Sequence, residues 1–220
     1  MKQDYKNDKL GEEVVHDFLC KNFYNRLNIS CKSTLNCMEC QKKGIDEIIG
    51  ESYVDEKAAI EWATPKNGSK PLTTFTVELY TKNNSFHDNT GWLIDDRKLT
   101  NYYFFMWIWI DSEIKKNKLK YGRFVQSRWW ENEKINKIHL CILDRNKLRN
   151  EIKQIYHENE NKFKLFFSEV KLGKCGNVKV NNDVTLIHSM NVRNNNEAVN
   201  IKLNKKLLIR MSEYSGFIHS

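Results

Sequence analysis

The sequence predicts an α/β protein with a central mixed β-sheet flanked by helices, and three observations carry that expectation. An amphipathic helical stretch is followed by several strand-like segments in succession, without the regular strand–helix alternation of a parallel array. "YYFFMWIWI", Tyr102 to Ile110, is an unbroken apolar run of aromatic and branched residues, as expected of a central strand buried on both faces. A second such run, "KIHLCIL", leads straight into Asp144, whose side chain suits it to cap the helix that follows.

Each element follows from its own pattern. Residues 8 to 27 predict a helix with Val14, Val15, Phe18, Leu19 and Phe23 on one face. "ISCKST" predicts a short strand. "GIDEII" and "SYVDEKAAIEW" predict two strands joined by a hairpin turn at Gly50. "PKNGSKP" is turn-rich and predicts a loop, and "LTTFTVELYT" alternates with a period of two, as a strand does. "DSEIKKNKLKYGRFVQSRWWENEKINK" is a polar, basic excursion. A helix is expected from Asp144 to about Glu158. Beyond Asn161 the pattern weakens into Asn-rich turns around "VTLIHSM" and "AVNIKL", with a final short helix in "KKLLIRMSEYS". The chain has 220 residues and only two prolines, so no Pro-rich linker divides it. One domain over residues 1–220 is expected, with a core at about 8–160 and a divergent C-terminal extension over 161–220.

Composition narrows the functional classes. Lys and Arg exceed Asp and Glu by 36 to 28, a net charge of +8, which favours polyanionic partners such as nucleic acid. No apolar run approaches the roughly 18 residues of a membrane helix, and "MKQDYKNDKLGEE" has no apolar core of a signal peptide. A cytoplasmic protein without a membrane partner is the expectation. The six cysteines are then thiols. "CKSTLNCMEC", holding Cys31, Cys37 and Cys40, contains one C-x2-C, half of a zinc site, which His16 and Cys20 on the first helix could complete. No G-x-G-x-x-G, G-x4-G-K-[ST] or G-x-S-x-G motif occurs, so nucleotide-cofactor, P-loop and serine-hydrolase readings lack support.

"GIDEIIGESYVDEKAAIEW" carries the chemistry. Side chains alternate between the faces of a strand. Tyr53, Asp55, Lys57 and Ala59 therefore share one face of the second strand, and Val54, Glu56, Ala58 and Ile60 share the other, which should meet the core. Opposed side chains on antiparallel neighbours lie roughly 4.5–5.5 Å apart, so Asp46 can approach Asp55. Two carboxylates that close repel unless a cation neutralises them, and Mg2+ accepts such a pair together with waters and phosphate oxygens. On the first helix, Glu12 borders the apolar face and Glu13 points to solvent, so Glu12 is the acid placed to reach a site at the sheet edge. Glu78, in "TVELY", is a second-tier candidate on a polar strand face.

A helix with Glu12, then a strand, a strand with Gly44-x-Asp46 and a strand with Asp55-x-Lys57 resembles the PD-(D/E)XK nuclease superfamily, the restriction-endonuclease-like αβα sandwich. The resemblance covers about residues 8 to 62, with "TFTVELY" as the next core strand. Ile45 stands where the superfamily's name has proline. The resemblance implies a divalent-metal-dependent nuclease that hydrolyses phosphodiester bonds in DNA, an endonuclease of restriction, repair or mobile-element type. It implies Asp46 and Asp55 as Mg2+ ligands, with Mn2+ able to substitute, Lys57 beside the attacking water, and Glu12 as a direct or water-mediated ligand.

"KKNKLKYGRFVQSRWW" supplies Lys115, Lys116, Lys118, Lys120, Arg123 and Arg128 among aromatics, a combination that binds phosphates and stacks on bases. Three other readings stay open: an RNA nuclease on the same scaffold, a catalytically silent nucleic-acid-binding protein, and a zinc-stabilised interaction module. Double-strand cleavage with one site per chain would call for a homodimer.

Overall fold

A computed structural model describes residues 2–66, 72–82, 88–111, 119–120, 123–124, 134–174, 176–191 and 196–220. In chain order its elements are α1 (Lys2–Leu19), β1 (Cys31–Ser33), α2 (Met38–Lys42), β2 (Glu47–Ile49), β3 (Ser52–Ala58), β4 (Thr64–Pro65), β5 (Thr74–Lys82), β6 (Asp88–Thr90) and β7 (Tyr102–Ile110). There follow β8 (Leu119–Lys120), β9 (Arg123–Phe124), β10 (Ile135–Asp144), α3 (Arg145–Glu158), α4 (Glu160–Lys171), β11 (Gly176–Lys179), β12 (Val184–Asn191), β13 (Asn196–Asn204), α5 (Lys205–Met211) and β14 (Tyr214–His219). The fold is α/β, built on a mixed sheet as the sequence predicts. The chain divides into two compact units, one of Met1–Leu72, Thr100–Leu143 and Ser212–Ser220, the other of Thr73–Leu99 and Asp144–Met211.

The first unit is a seven-stranded sheet in the order β1-β2-β3-β7-β10-β14, with β4 also paired to β7. β1, β2 and β3 are antiparallel neighbours, while β3 and β7 run parallel. β7 is the apolar run seen in the sequence, and every residue from Tyr103 to Ile110 is buried, because strands flank it on both sides and both of its faces are covered. On one face α1 packs Val15 and Leu19 against Val54, Phe104, Met106, Ile108 and Leu140. The helix ends in a π-turn over Cys20–Tyr24 that carries Phe23 and Tyr24 into the same core. β14 completes the sheet by pairing antiparallel with β10, from Lys137 opposite His219 to Ile142 opposite Tyr214.

The second unit has its own five-stranded sheet, in the order β11-β12-β13-β5-β6. β5, which the superfamily resemblance places as the next core strand beside the motif, belongs to this second sheet instead, paired with β13 and β6. Alternation marks a strand but does not choose its partner; β7 takes the place beside β3. Asp144 caps α3 as expected, its Oδ1 accepting from the Lys147 N–H at 2.7 Å. α4 was not evident in the sequence; it buries Phe163 and Phe166. Gly91 is obligatory here, since a Cβ on it would lie 2.2 Å from the Glu78 carbonyl oxygen.

Gly50 joins β2 to β3 with φ +58°, and nothing lies within 4 Å of the Cβ that a substitution would add. Its cost is therefore one of backbone conformation alone. Gly50→Ala should lower the free energy of unfolding by about 1–2 kcal/mol, Gly50→Asn by less and Gly50→Val by more, as read from urea midpoints at unchanged slope.

Candidate functional site

The β2–β3 hairpin gathers the candidate residues. Its register pairs Glu47 with Val54 and Ile49 with Ser52, which brings Asp46, one residue before β2, opposite Asp55. Asp46 is held at every polar group of its backbone. Its N–H donates to the Val54 carbonyl and its own carbonyl accepts from Thr34 N–H, both at 2.8 Å. Its side chain extends the ladder past the strand end, with Oδ2 accepting from the Glu56 N–H at 2.8 Å. Gly44, with φ +68°, turns the chain into this position. Thr100 Oγ1 donates to the Gly44 carbonyl and Thr34 Oγ1 to that of Ile45, at 2.5 and 2.6 Å.

Asp55 is only 3% exposed, and the Asp46 carboxyl opposite it is near enough for its charge to act on it. The Lys57 Nζ stands 2.5 Å from its Oδ1, with the lysine side chain still 27% exposed. Asp46, Asp55 and Lys57 thus meet on one side of the hairpin, and the site reaches solvent through the lysine. Burial is the main force on Asp55; Lys57 opposes it and the Asp46 charge adds to it, and together they push the carboxyl up to about 7. Burial works against a charged Lys57, but Asp55 and then Asp46 outweigh it and hold the ammonium well above the usual lysine range, with a smaller contribution from Glu12.

Glu12 is exposed on α1 and close enough for its charge to act on Lys57. Glu13, expected to face solvent, is half-buried. The difference lies in helix phase: the buried stripe of α1 runs through Gly11, Val15, His16 and Leu19 and so takes in a histidine that hydrophobic periodicity does not count. Glu78 lies on β5 in the other sheet, away from the strands that carry Asp46 and Asp55.

The opposite side of the hairpin holds a group that reading Val54, Glu56 and Ala58 as a plain core face did not reveal. Glu47, on β2, and Glu56, on β3, turn inward beneath α1, where His16 Nδ1 lies 3.1 Å from Glu47 Oε1 and 3.4 Å from Glu56 Oε2. The three ligand atoms all fall within 4.8 Å of one another. Tyr24 donates its hydroxyl to Glu56 Oε1 at 2.8 Å, and Cys20 Sγ lies 3.2 Å from His16 Nε2. Burial, reinforced by Glu56 and opposed by His16, pushes Glu47 up to about 7. Burial lowers His16, yet the interaction with Glu56, with Glu47 behind it, leaves it above the ordinary histidine value. The signal for this group is the doublet Asp46-Glu47 and its repeat Asp55-Glu56: on neighbouring strands, alternation sends one acid of each doublet to each face.

The cysteine cluster divides. Cys31 lies beside Cys20, and burial first, then Cys31, push the Cys20 thiol up to about 12. Cys37 caps α2, its sulfur 3.4 Å from the Cys40 N–H. Among the described residues, no third His, Cys, Asp or Glu joins Cys37 and Cys40 in a metal-binding group. Of the basic excursion, Lys115, Lys116, Lys118 and Arg128 lie outside the described residues; Lys120 pairs with Arg123 across the β8–β9 hairpin. Among the described residues, no helix is long and apolar enough to cross a membrane.

The raised Asp55 gives a pH dependence of defined sign. With its carboxyl at about 7 in the folded chain against 3.8 when free, the native state holds a proton that the unfolded state has lost between those values. Stability from this group is fully present below about 4 and falls as pH rises through 7, and Glu47 adds to the same trend. In EDTA, urea unfolding should show stability declining from pH 5.5 to 8, with a shallower decline in Asp55→Asn. An equal slope in the variant would remove Asp55 as the cause.

No protein-family profile, curated protein or solved structure gives a match to this chain, so the roles of these residues rest on their geometry.

Proposed function

We propose that the protein is a Mg2+-dependent nuclease that hydrolyses phosphodiester bonds in DNA, an endonuclease of the restriction-endonuclease-like type. The observation that carries this reading is the hairpin register that sets Asp46 opposite Asp55, with the Lys57 ammonium 2.5 Å from Asp55 at the solvent side. The donor set fits a hard cation. Both acids offer oxygens, one carboxyl resists ionisation beside the other, and a divalent ion removes that conflict. Asp46 and Asp55 would hold it, with Glu12 as a further or water-mediated ligand. When bound, the ion supplies charge neutralisation at phosphorus and a more acidic attacking water.

The chain's own groups do the rest. Asp46 is oriented by the Glu56 amide, so its free oxygen is presented in a fixed direction. Lys57, held above the usual lysine range by Asp55 and Asp46, offers a hydrogen-bond donor and a positive charge for the water and the phosphate oxygens. The net charge of +8 favours the approach of a polyanion.

The deciding experiment incubates the protein with plasmid, linear duplex, single-stranded DNA and RNA, with Mg2+, with Mn2+ and with EDTA. Metal-dependent cleavage of plasmid supports the proposal. Cleavage of RNA alone would make it a ribonuclease, and metal-dependent binding without cleavage of any substrate would make it a silent binding protein. Asp55→Asn, which keeps shape and removes charge, should reduce cleavage to the uncatalysed background while circular dichroism stays native. Glu12→Gln should lower activity about 10- to 100-fold and raise the Mg2+ concentration at half-maximal rate, as loss of a ligand or its water anchor does. Full activity in Asp55→Asn would place the reaction elsewhere.

A further inference from the structure

The buried group beneath α1 has the makings of a second metal site, independent of the nuclease reading. Glu47 is 0% exposed, and neither of its carboxylate oxygens meets a donor at hydrogen-bonding geometry, the nearby Ser33 hydroxyl exerting only a minor pull. His16 Nδ1 is likewise buried without a hydrogen bond, although two carboxylates stand before it. Nδ1 lies 3.1 and 3.4 Å from the nearest oxygens of the two acids. Ligands about 2.0–2.1 Å from one ion at tetrahedral angles lie roughly 3.4 Å apart, so these spacings are those of atoms sharing a cation.

The surrounding contacts fit the same reading. Metal-bound imidazoles use their other nitrogen for an orienting hydrogen bond, and Cys20 Sγ occupies that position on Nε2. The Tyr24 hydroxyl occupies Glu56 Oε1 and leaves Oε2 toward the histidine. The second oxygen of Glu47 is available as a fourth donor. One imidazole and two carboxylates suit Zn2+ and its neighbours, whereas Mg2+ prefers oxygen and retains its waters.

We propose that His16, Glu47 and Glu56 bind a buried Zn2+ ion that fastens α1 to the β2–β3 hairpin. The ligands come from one hairpin and from a helix about thirty residues earlier, so the site assembles only as the unit folds and its binding energy adds to stability. Glu12 lies one helical turn before His16, so the same ion fixes the helix position that brings Glu12 toward Lys57.

The test measures metal, not activity. The protein is stripped with chelator, dialysed against Zn2+ or Mg2+ and analysed by mass spectrometry of the metals. Wild type should keep one Zn2+ per chain, and its thermal midpoint should rise by about 5–10 °C at a hundredfold excess over Kd, with no comparable rise in Mg2+. Asp55→Asn and the double variant Cys37→Ser/Cys40→Ser should keep the zinc; Glu47→Gln and His16→Gln should lose it. Co2+ bound to wild type should give the visible absorption of a four-coordinate nitrogen–oxygen site without a thiolate charge-transfer band. Absence of retained zinc and of a Zn2+-dependent midpoint shift in wild type overturns the proposal, as does zinc lost with the Cys37/Cys40 pair or with Asp55. If Glu47→Gln and His16→Gln do not fold, the wild-type, Asp55→Asn and cysteine arms still decide.

Discussion

Two acid doublets on neighbouring antiparallel strands impose the constraint to which the first unit is fitted. Asp46-Glu47, at the entry to β2, and Asp55-Glu56, on β3, meet in a register that sets Asp46 opposite Asp55 on one face and Glu47 diagonal to Glu56 on the other. Buried carboxylates in contact must find a proton or a cation. One face supplies Lys57, within the same strand; the other supplies His16, from the helix above. The position of α1, the hairpin register and the hydrogen-bonded entry to β2 all serve these two pairings.

The two faces answer the constraint differently. On the Lys57 side the group reaches water, so a small cation or a phosphate can come and go. On the His16 side the group is enclosed by Leu19, Val54 and Tyr24 in the main core. There the polar cluster has to be complete for the core around it to be stable, because a lone buried charge costs several kcal/mol. The hairpin thus has a solvent-reaching polar group on one face and a closed polar joint on the other, both held by the same pair of strands.

Much of this was legible in the sequence, and what was hidden has a common cause. The central strand Tyr102–Ile110, the cap at Asp144, the Gly50 turn and the meeting of Asp46, Asp55 and Lys57 all follow from local rules: apolar run, capping chemistry, φ > 0 at glycine and strand alternation. What periodicity misses is pairing at a distance. Nothing in "LTTFTVELYT" distinguishes a partner in one sheet from a partner in another, so β5 was assigned to the wrong neighbours. His16 reads as polar on a helical wheel, and only the acids brought beneath it by the hairpin explain its burial and the shift in helix phase. α4 is hard to read because its apolar residues do not keep to one face: Phe163 and Phe166 are buried, whereas Leu165 and Phe167 are exposed.

The order in which the chain visits its two sheets has a consequence for synthesis. β10 is made before α3, and its partner β14 only after Met211, with the second unit's longer segment between them. While a ribosome is producing residues 145 to 211, the first unit has its helix, its hairpin and its central strand but an open edge along β10. Exposed edges of this kind pair with the wrong chain, and contacts so far apart in sequence form slowly. Growing chains thus carry an unpaired β10 edge, open to association, until Tyr214–His219 emerges.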